Sequence, residues 1–374
     1  MVKSNTDALG IIFPNAHDTL VPELVTTRTM ASVPFAGRYR MIDFVLSSMA
    51  NSGISNVSIV VKQNYHSLMD HLGTGREWDL SRKLGGLNLV PPYAEAKVKV
   101  YRGRVEALAS VVEYLKSQKE EFVILSDSNI AFNFDFRQLI AAHVASNADV
   151  TVMYQKRPIP EGLKDDNYTF KLKDGRVTEL LSNDYRPGVQ NLSMNVYIIQ
   201  RESLITMIED ATIRGVVYFE REILGRNLEL LNVQGFEYNG YTAWISDRKS
   251  YFYENMRLLQ PENLDGLFND SQPIYTKVHD NAPTRYAMDS HMKNSLVADG
   301  CLIEGEVEDS VLFRGVKIKK GAKVKNCVLM QNTVIEEDAQ VEYVLTDKNV
   351  TITTGKKISG TDTFPVYVAK GHKV

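Results

Sequence analysis

Val311-Leu312-Phe313-Arg314-Gly315-Val316-Lys317-Ile318-Lys319-Lys320-Gly321-Ala322-Lys323-Val324-Lys325-Asn326-Cys327-Val328-Leu329-Met330 places apolar residues six positions apart. Ile318, Val324 and Met330 form one row, and Val316, Ala322, Val328 and Val334 another. Val297 and Ile303, and later Ile335 and Val341, keep the same interval. Neither a helix nor a flat sheet repeats every six residues. A left-handed parallel β-helix does, because each triangular coil has three six-residue sides, each with one inward apolar residue. Gly300, Gly305, Gly315 and Gly321 fall where such coils turn. The five lysines from Lys317 to Lys325 then lie on the outer face. The spacing predicts a β-helix domain over 291–374.

Upstream the periodicity is different. Ala8 to Phe13 reads as a strand and Asn56 to Val61 as another, with Ile42, Val45, Leu46 and Met49 at helical spacing between them. Val105, Leu108, Val112 and Leu115 mark a helix before the strand Phe122 to Leu125. Arg137 to Ser146 is a helix before the strand Asp149 to Tyr154. Strand and helix in alternation predict a mainly parallel, Rossmann-like α/β domain over 1–250, covered on both faces, with a linker over 251–290. Ligands of such sheets bind at the carboxyl ends of the strands, here the loops after Phe13, Leu125 and Tyr154.

Composition narrows the function classes. The 374 residues suit two domains, and 44% hydrophobic with 24% charged content is that of a soluble globular chain. The net charge of −3 gives no general attraction to nucleic acid or anionic lipid. No run is long and apolar enough for a membrane helix, and a signal-peptide pattern is lacking, so a cytoplasmic protein is expected. Cys301 and Cys327 fit neither a disulfide framework nor a zinc site. Lys97, Lys99, Arg102 and Arg104 alternate with apolar residues and read as the charged face of an edge strand.

Several motifs are more specific. The run Val33-Pro34-Phe35-Ala36-Gly37-Arg38-Tyr39-Arg40-Met41-Ile42-Asp43-Phe44, with Asn51-Ser52-Gly53-Ile54, Tyr65-His66-Ser67-Leu68 and Gly73-Thr74-Gly75-Arg76-Glu77-Trp78-Asp79-Leu80, closely resembles the glucose-1-phosphate adenylyltransferases. Pro91-Pro92-Tyr93, Pro273-Ile274-Tyr275-Thr276 and Ser295-Leu296-Val297-Ala298-Asp299-Gly300-Cys301 extend the resemblance nearly end to end. It implies a nucleotidyltransferase domain of GT-A type, a left-handed β-helix domain, a tetramer, and a place in bacterial glycogen synthesis. The reaction it implies joins glucose 1-phosphate to ATP, with Mg²⁺ held by carboxylates and the phosphates cradled by backbone and cations.

The residues for that chemistry are missing. The family's glycine-rich loop reads Phe13-Pro14-Asn15-Ala16-His17-Asp18-Thr19-Leu20, without glycine, and Thr19 stands on or beside the loop arginine. Asp18 brings negative charge where a triphosphate would lie. Met30 replaces a phosphate-facing cation. Ser128 replaces the first metal Asp, and Asp127, one position earlier, is expected to point elsewhere. Trp244 replaces the second metal Asp, Asn183 the sugar-phosphate lysine, and Arg104 a small residue near adenine. The resemblance is therefore to the regulatory (GlgD-type) subunit of Firmicutes. The expectation is a chain inactive on its own, with no cofactor or metal (Mg²⁺ belonging to the catalytic partner), that assembles with a catalytic paralogue in a heterotetramer or also forms a homo-oligomer. Arg28, Arg38 and Arg40 are candidates for an anion site binding a phosphorylated effector, since guanidinium groups pair bidentately with phosphate. Their alternative role is in salt bridges. Three other readings stay open: a weakly active nucleotidyltransferase in which Asp127 replaces the metal ligand, a stand-alone sugar-phosphate sensor, and a hexapeptide acyltransferase. The last normally shows a histidine in its coils, and none lies between Val297 and Val341.

Overall fold

Residues 7–91, 101–164 and 166–374 are described by the computed structural model. Pro92, Tyr93, Lys97 and Lys99 lie outside them. Strand β1 (Ala8–Phe13) is buried along its length, as its continuous apolar run requires in a sheet covered on both faces. It pairs in parallel with β2 (Asn56–Val60) and β4 (Phe122–Asp127), and β2 pairs in parallel with β3 (Gly86–Val90). The sheet continues through β5 (Val150–Pro158), β6 (Tyr168–Lys173), β7 (Arg176–Ser182), β8 (Val189–Gln200) and β9 (Val233–Glu237), in the order β3-β2-β1-β4-β8-β5-β9-β7-β6.

The sheet is mixed, not mainly parallel. β8 runs antiparallel to both β4 and β5, and β7 antiparallel to β6 and β9. The cause is local. Asp174 and Gly175 both have positive φ (51° and 82°), the conformation of a tight hairpin turn. The chain therefore doubles back from β6 to β7 without the helical crossover that parallel strands need. A second difference lies at residues 105–115. The expected single helix is broken at Ser110-Val111 into α3 (Arg104–Ala109) and α4 (Val112–Ser117).

Helix α1 (Met41–Asn51) starts where the Asp43 carboxylate accepts the backbone N–H of Arg40 at 2.9 Å. Asp43 also takes His71 Nε2, at 2.6 Å, from helix α2 (His66–Leu72). Residues 251–290 are not a bare linker. They contain most of an α-helix over Arg248–Arg257, a further helix over Pro261–Leu267, and the first coil strand, Arg285–Tyr286. Among the described residues no helix is long and apolar enough to cross a membrane.

The C-terminal domain is the expected left-handed β-helix, with three five-stranded parallel sheets as its sides. Ile303, Ile318, Ile335 and Ile352 stack on one side, and Val307, Val324, Val341 and Ile358 on the next. On the third side Leu312 and Leu329 face inward, so Met330 leaves the inward row proposed for it. With Val311, Phe313, Val328 and Leu345, Met330 instead packs into a core shared with Val21, Leu24, Phe35, Phe44, Tyr251 and Phe252 of the α/β domain. The outer faces carry stacked ion pairs such as Lys323–Glu306 and Lys325–Glu308.

Candidate functional site

The carboxyl ends of β1 and β4, with Asn195 of the antiparallel β8 beside them, open onto a cavity of about 210 Å³, lined by Phe13, His17, Lys62, Arg104, Asp127 and Glu220 among others. That volume is below the roughly 300 Å³ at which small-molecule pockets usually begin. The loop after β1 is knit by its own side chains. Asn15 accepts the Lys62 N–H at 2.9 Å and donates to Asp18 at 2.7 Å. Asp18 in turn accepts the Met30 N–H at 2.7 Å. Its carboxylate is thus turned toward Met30 and is not part of the cavity lining, contrary to the expectation that it would oppose a triphosphate. His17 faces inward instead.

His17 is buried and uses both ring nitrogens. Nε2 lies 3.0 Å from Asp127 and Nδ1 2.8 Å from Asp166. Burial disfavours the imidazolium, but Asp166 and Asp127 together outweigh burial and push its pKa up to about 10. Arg104 spans the opposite wall, with Nη2 3.0 Å from Asp127 and Nε 2.7 Å from Glu220. Its guanidinium lies 4.6 Å from the Phe13 ring centroid and 5.5 Å from that of Tyr197. Burial works against ionisation of Asp127, yet Arg104 and His17 hold its carboxyl below the usual range. His17 and Arg104 are thus both committed to carboxylates, and neither is free to meet a polyanion.

Asp127 therefore does point into the site, against expectation. The reason is that β4 runs through residue 127, and the alternation of a strand puts Asp127 at the cavity and Ser128 in the interior. Ser128 is buried, outside the cavity lining, and among the described residues its hydroxyl makes no hydrogen bond. Trp244, equally buried, donates to Thr242 Oγ1 at 2.9 Å and lies 4.9 Å under the Arg157 guanidinium. Met30 is in the core shared by the two domains. Thr19 is exposed in a short turn, and Asn183 is exposed at a turn with φ 54°. These five positions are not brought together as one site. Mg²⁺ does not fit this arrangement: Asp127, beside the position expected to hold it, is committed to His17 and Arg104, Asp166 and Glu220 are paired with the same two cations, and an indole occupies the other expected position.

The three arginines also separate. Arg28 is buried and grips both oxygens of Asp347 in the β-helix, at 2.6 and 2.7 Å. Arg38 is exposed, stacked on Tyr39, beside a shallow apolar groove with Phe268 and Leu296. Arg40 donates to the Ser67 carbonyl at 2.6 Å, and among the described residues no carboxylate pairs with its guanidinium; burial lowers its pKa to about 10 despite Asp43. Lys348, which the sequence did not single out, shares this seam with Arg40, Arg28 and Lys370. His17, Asp166, Glu220 and Lys348 were missed because they come from segments far apart in the chain and form no spaced motif.

Comparison with known proteins gives matches to both halves. Residues 21–162 match the nucleotidyl transferase family model, and residues 278–364 match the model for a GlmU-like, C-terminal hexapeptide. The chain is 35% identical to the glycogen biosynthesis protein GlgD of Bacillus subtilis over 98% of its own length and 97% of that protein's. It is 35% identical to the protein of the same name from Geobacillus stearothermophilus, over 86% and 83%. It is also 30% identical to a glucose-1-phosphate adenylyltransferase of Clostridium perfringens, over 89% and 87%.

Proposed function

Since this chain belongs to the glucose-1-phosphate adenylyltransferase family, with its GlgD-type members among its relatives, we propose that it serves glycogen biosynthesis as a non-catalytic regulatory subunit. It assembles with a catalytic paralogue in the cytoplasm and alters that partner's synthesis of ADP-glucose from ATP and glucose 1-phosphate. The observation that carries this reading is the Asp127 carboxylate, which is closed off by His17 on one side and Arg104 on the other. Losing one such electrostatic contributor typically costs about 10²–10³ in rate. Here a metal carboxylate, the glycine loop and a phosphate-facing cation are all replaced.

The effector reading needs one revision. Arg28 is neutralised by Asp347 and Arg38 lies apart, so the anion site falls to Arg40 with Lys348 and Lys370. A phosphorylated metabolite or inorganic phosphate at this seam touches both domains, which gives a route from ligand to subunit geometry. The test measures ADP-glucose synthesis by this chain, by the catalytic paralogue, and by the two co-expressed. The expected result is no synthesis by the chain alone and changed kinetics in the mixture. Synthesis by the chain alone, or an unchanged mixture with no complex on size exclusion, refutes the proposal.

A further inference from the structure

The cavity at the ends of β1 and β4 keeps two polar atoms without partners. Arg104 and Asp127 meet through one nitrogen and one oxygen, Nη2 and Oδ2, at 3.0 Å. His17 Nε2 also approaches Oδ2, at 3.0 Å, so both cations crowd onto the same oxygen. Arg104 Nη1 and Asp127 Oδ1 are left over. Both are buried, and neither has a hydrogen-bond partner among the described residues. A donor and an acceptor thus stay open on two side chains that line the cavity, and leaving such atoms unmatched is costly. Asn195 adds a third polar group. Strand β8 is bulged between Ser193 and Val196, and there Asn195, at φ 55°, brings its amide within 3.2 Å of His17 Nε2. Bulges of this kind re-aim a side chain out of strand register.

The rest of the lining is aromatic or balanced in charge. Phe13, Tyr101, Tyr168 and Tyr218 supply rings. Arg102 is paired with Glu106 at 2.6 Å, which leaves His17, Lys62 and Arg104 against Asp127, Asp166 and Glu220. A phosphate would upset that balance, and a volume of about 210 Å³ suits one ring better than a nucleotide. We propose that this cavity binds an uncharged monosaccharide, a free hexose, whose hydroxyls donate to Asp127 Oδ1 and accept from Arg104 Nη1. A hydroxyl both donates and accepts, so one such group, or a neighbouring pair, meets the needs of both atoms. The C–H faces of the sugar pack against the tyrosines, in the usual division of a pocket between aromatic walls and a few placed polar groups. The inference concerns the cavity alone and stands whether or not the chain acts on a catalytic partner.

Calorimetric titration of the full-length chain with D-glucose, D-galactose, D-mannose and D-fructose tests this, with glucose 1-phosphate and adenosine as contrasts. The expected result is that at least one free hexose binds with a Kd of about 1 mM or tighter, and that neither contrast binds better. Arg104→Lys, which removes Nη1, should weaken that binding about tenfold. Ala16 is exposed on the cavity rim and takes no part in the buried cluster, so Ala16→Trp obstructs the mouth and should abolish binding. That variant decides the matter if Arg104→Lys does not fold. Failure of all four hexoses to bind overturns the proposal. So does tighter binding of glucose 1-phosphate or adenosine than of any free hexose. Hexose binding that survives Ala16→Trp also overturns it, because the sugar then lies elsewhere.

Discussion

His17 Nε2 lies 3.0 Å from Asp127 Oδ2, so the loop after β1 is bound directly to the end of β4, across the mouth where a nucleotide would enter. With Asp166 on the other ring nitrogen, the imidazolium ties a third segment to the already paired ends of β1 and β4. Without His17, Asp127 still keeps Arg104 and Asp166 can turn to solvent, so the loss stays below about 3–5 kcal/mol, the cost of a buried charge left wholly unpaired. His17→Ala is therefore expected to lower the unfolding free energy measured in urea by about 1–3 kcal/mol. A change below about 0.5 kcal/mol would show that the pair is not formed in solution.

The same pair has a defined pH dependence. A group whose pKa rises on folding stabilises fully below its unfolded value and loses that contribution as pH climbs through the folded one. For His17 the window runs from 6.5 to about 10. Asp127 has the opposite sign: its contribution is present above 3.8 and fades as pH falls through its depressed folded value. The stability difference between the natural chain and His17→Gln should be largest at about pH 5–6 and shrink toward about pH 10. Thermal melts across that range measure it, and a difference that grows with pH contradicts the assignment.

Trp244 is the residue that the family resemblance sets in place of a metal carboxylate, and reinstating the acid there is expected to give no activity. The indole is buried, hydrogen-bonded to Thr242 and Gln155, and covered by Arg157. Deleting a buried tryptophan costs about 3–5 kcal/mol, and an unpaired carboxylate in the same space adds to that. Trp244→Asp with Ser128→Asp is expected to melt well below the natural chain and to make no ADP-glucose. A folded, active double variant would mean that the remaining site is still competent.

The sequence was most legible where neighbours in the chain are neighbours in space. Strand β1 matches its expected span, Ala8–Phe13, and the six-residue interval follows from stacking within the coils. The Asp174-Gly175 turn was equally local, but strand-and-helix alternation read only through Tyr154 left it out, and with it the antiparallel half of the sheet. The cluster around Asp127 was not legible. His17, Arg104, Asp166 and Glu220 approach from four segments, and nothing in a linear pattern states which of several acids will meet a given base. Asp18 illustrates the point: its charge suggested a role in the cavity, whereas its carboxylate serves a backbone N–H.

Gly305 tests the coil geometry directly. A Cβ built there would lie 2.4 Å from the Ala322 carbonyl and 2.8 Å from that of Lys319, both backbone atoms that cannot swing aside. Forcing one methyl into such packing costs about 1–3 kcal/mol. Gly305→Ala should therefore lower the melting temperature by several degrees. Gly355→Ala separates two effects, because φ there is 69° and nothing lies within 4 Å of the added atom. Its penalty should be the smaller conformational one, about 1 kcal/mol. If both variants lose the same amount, close approach between successive coils is not what requires glycine at 305.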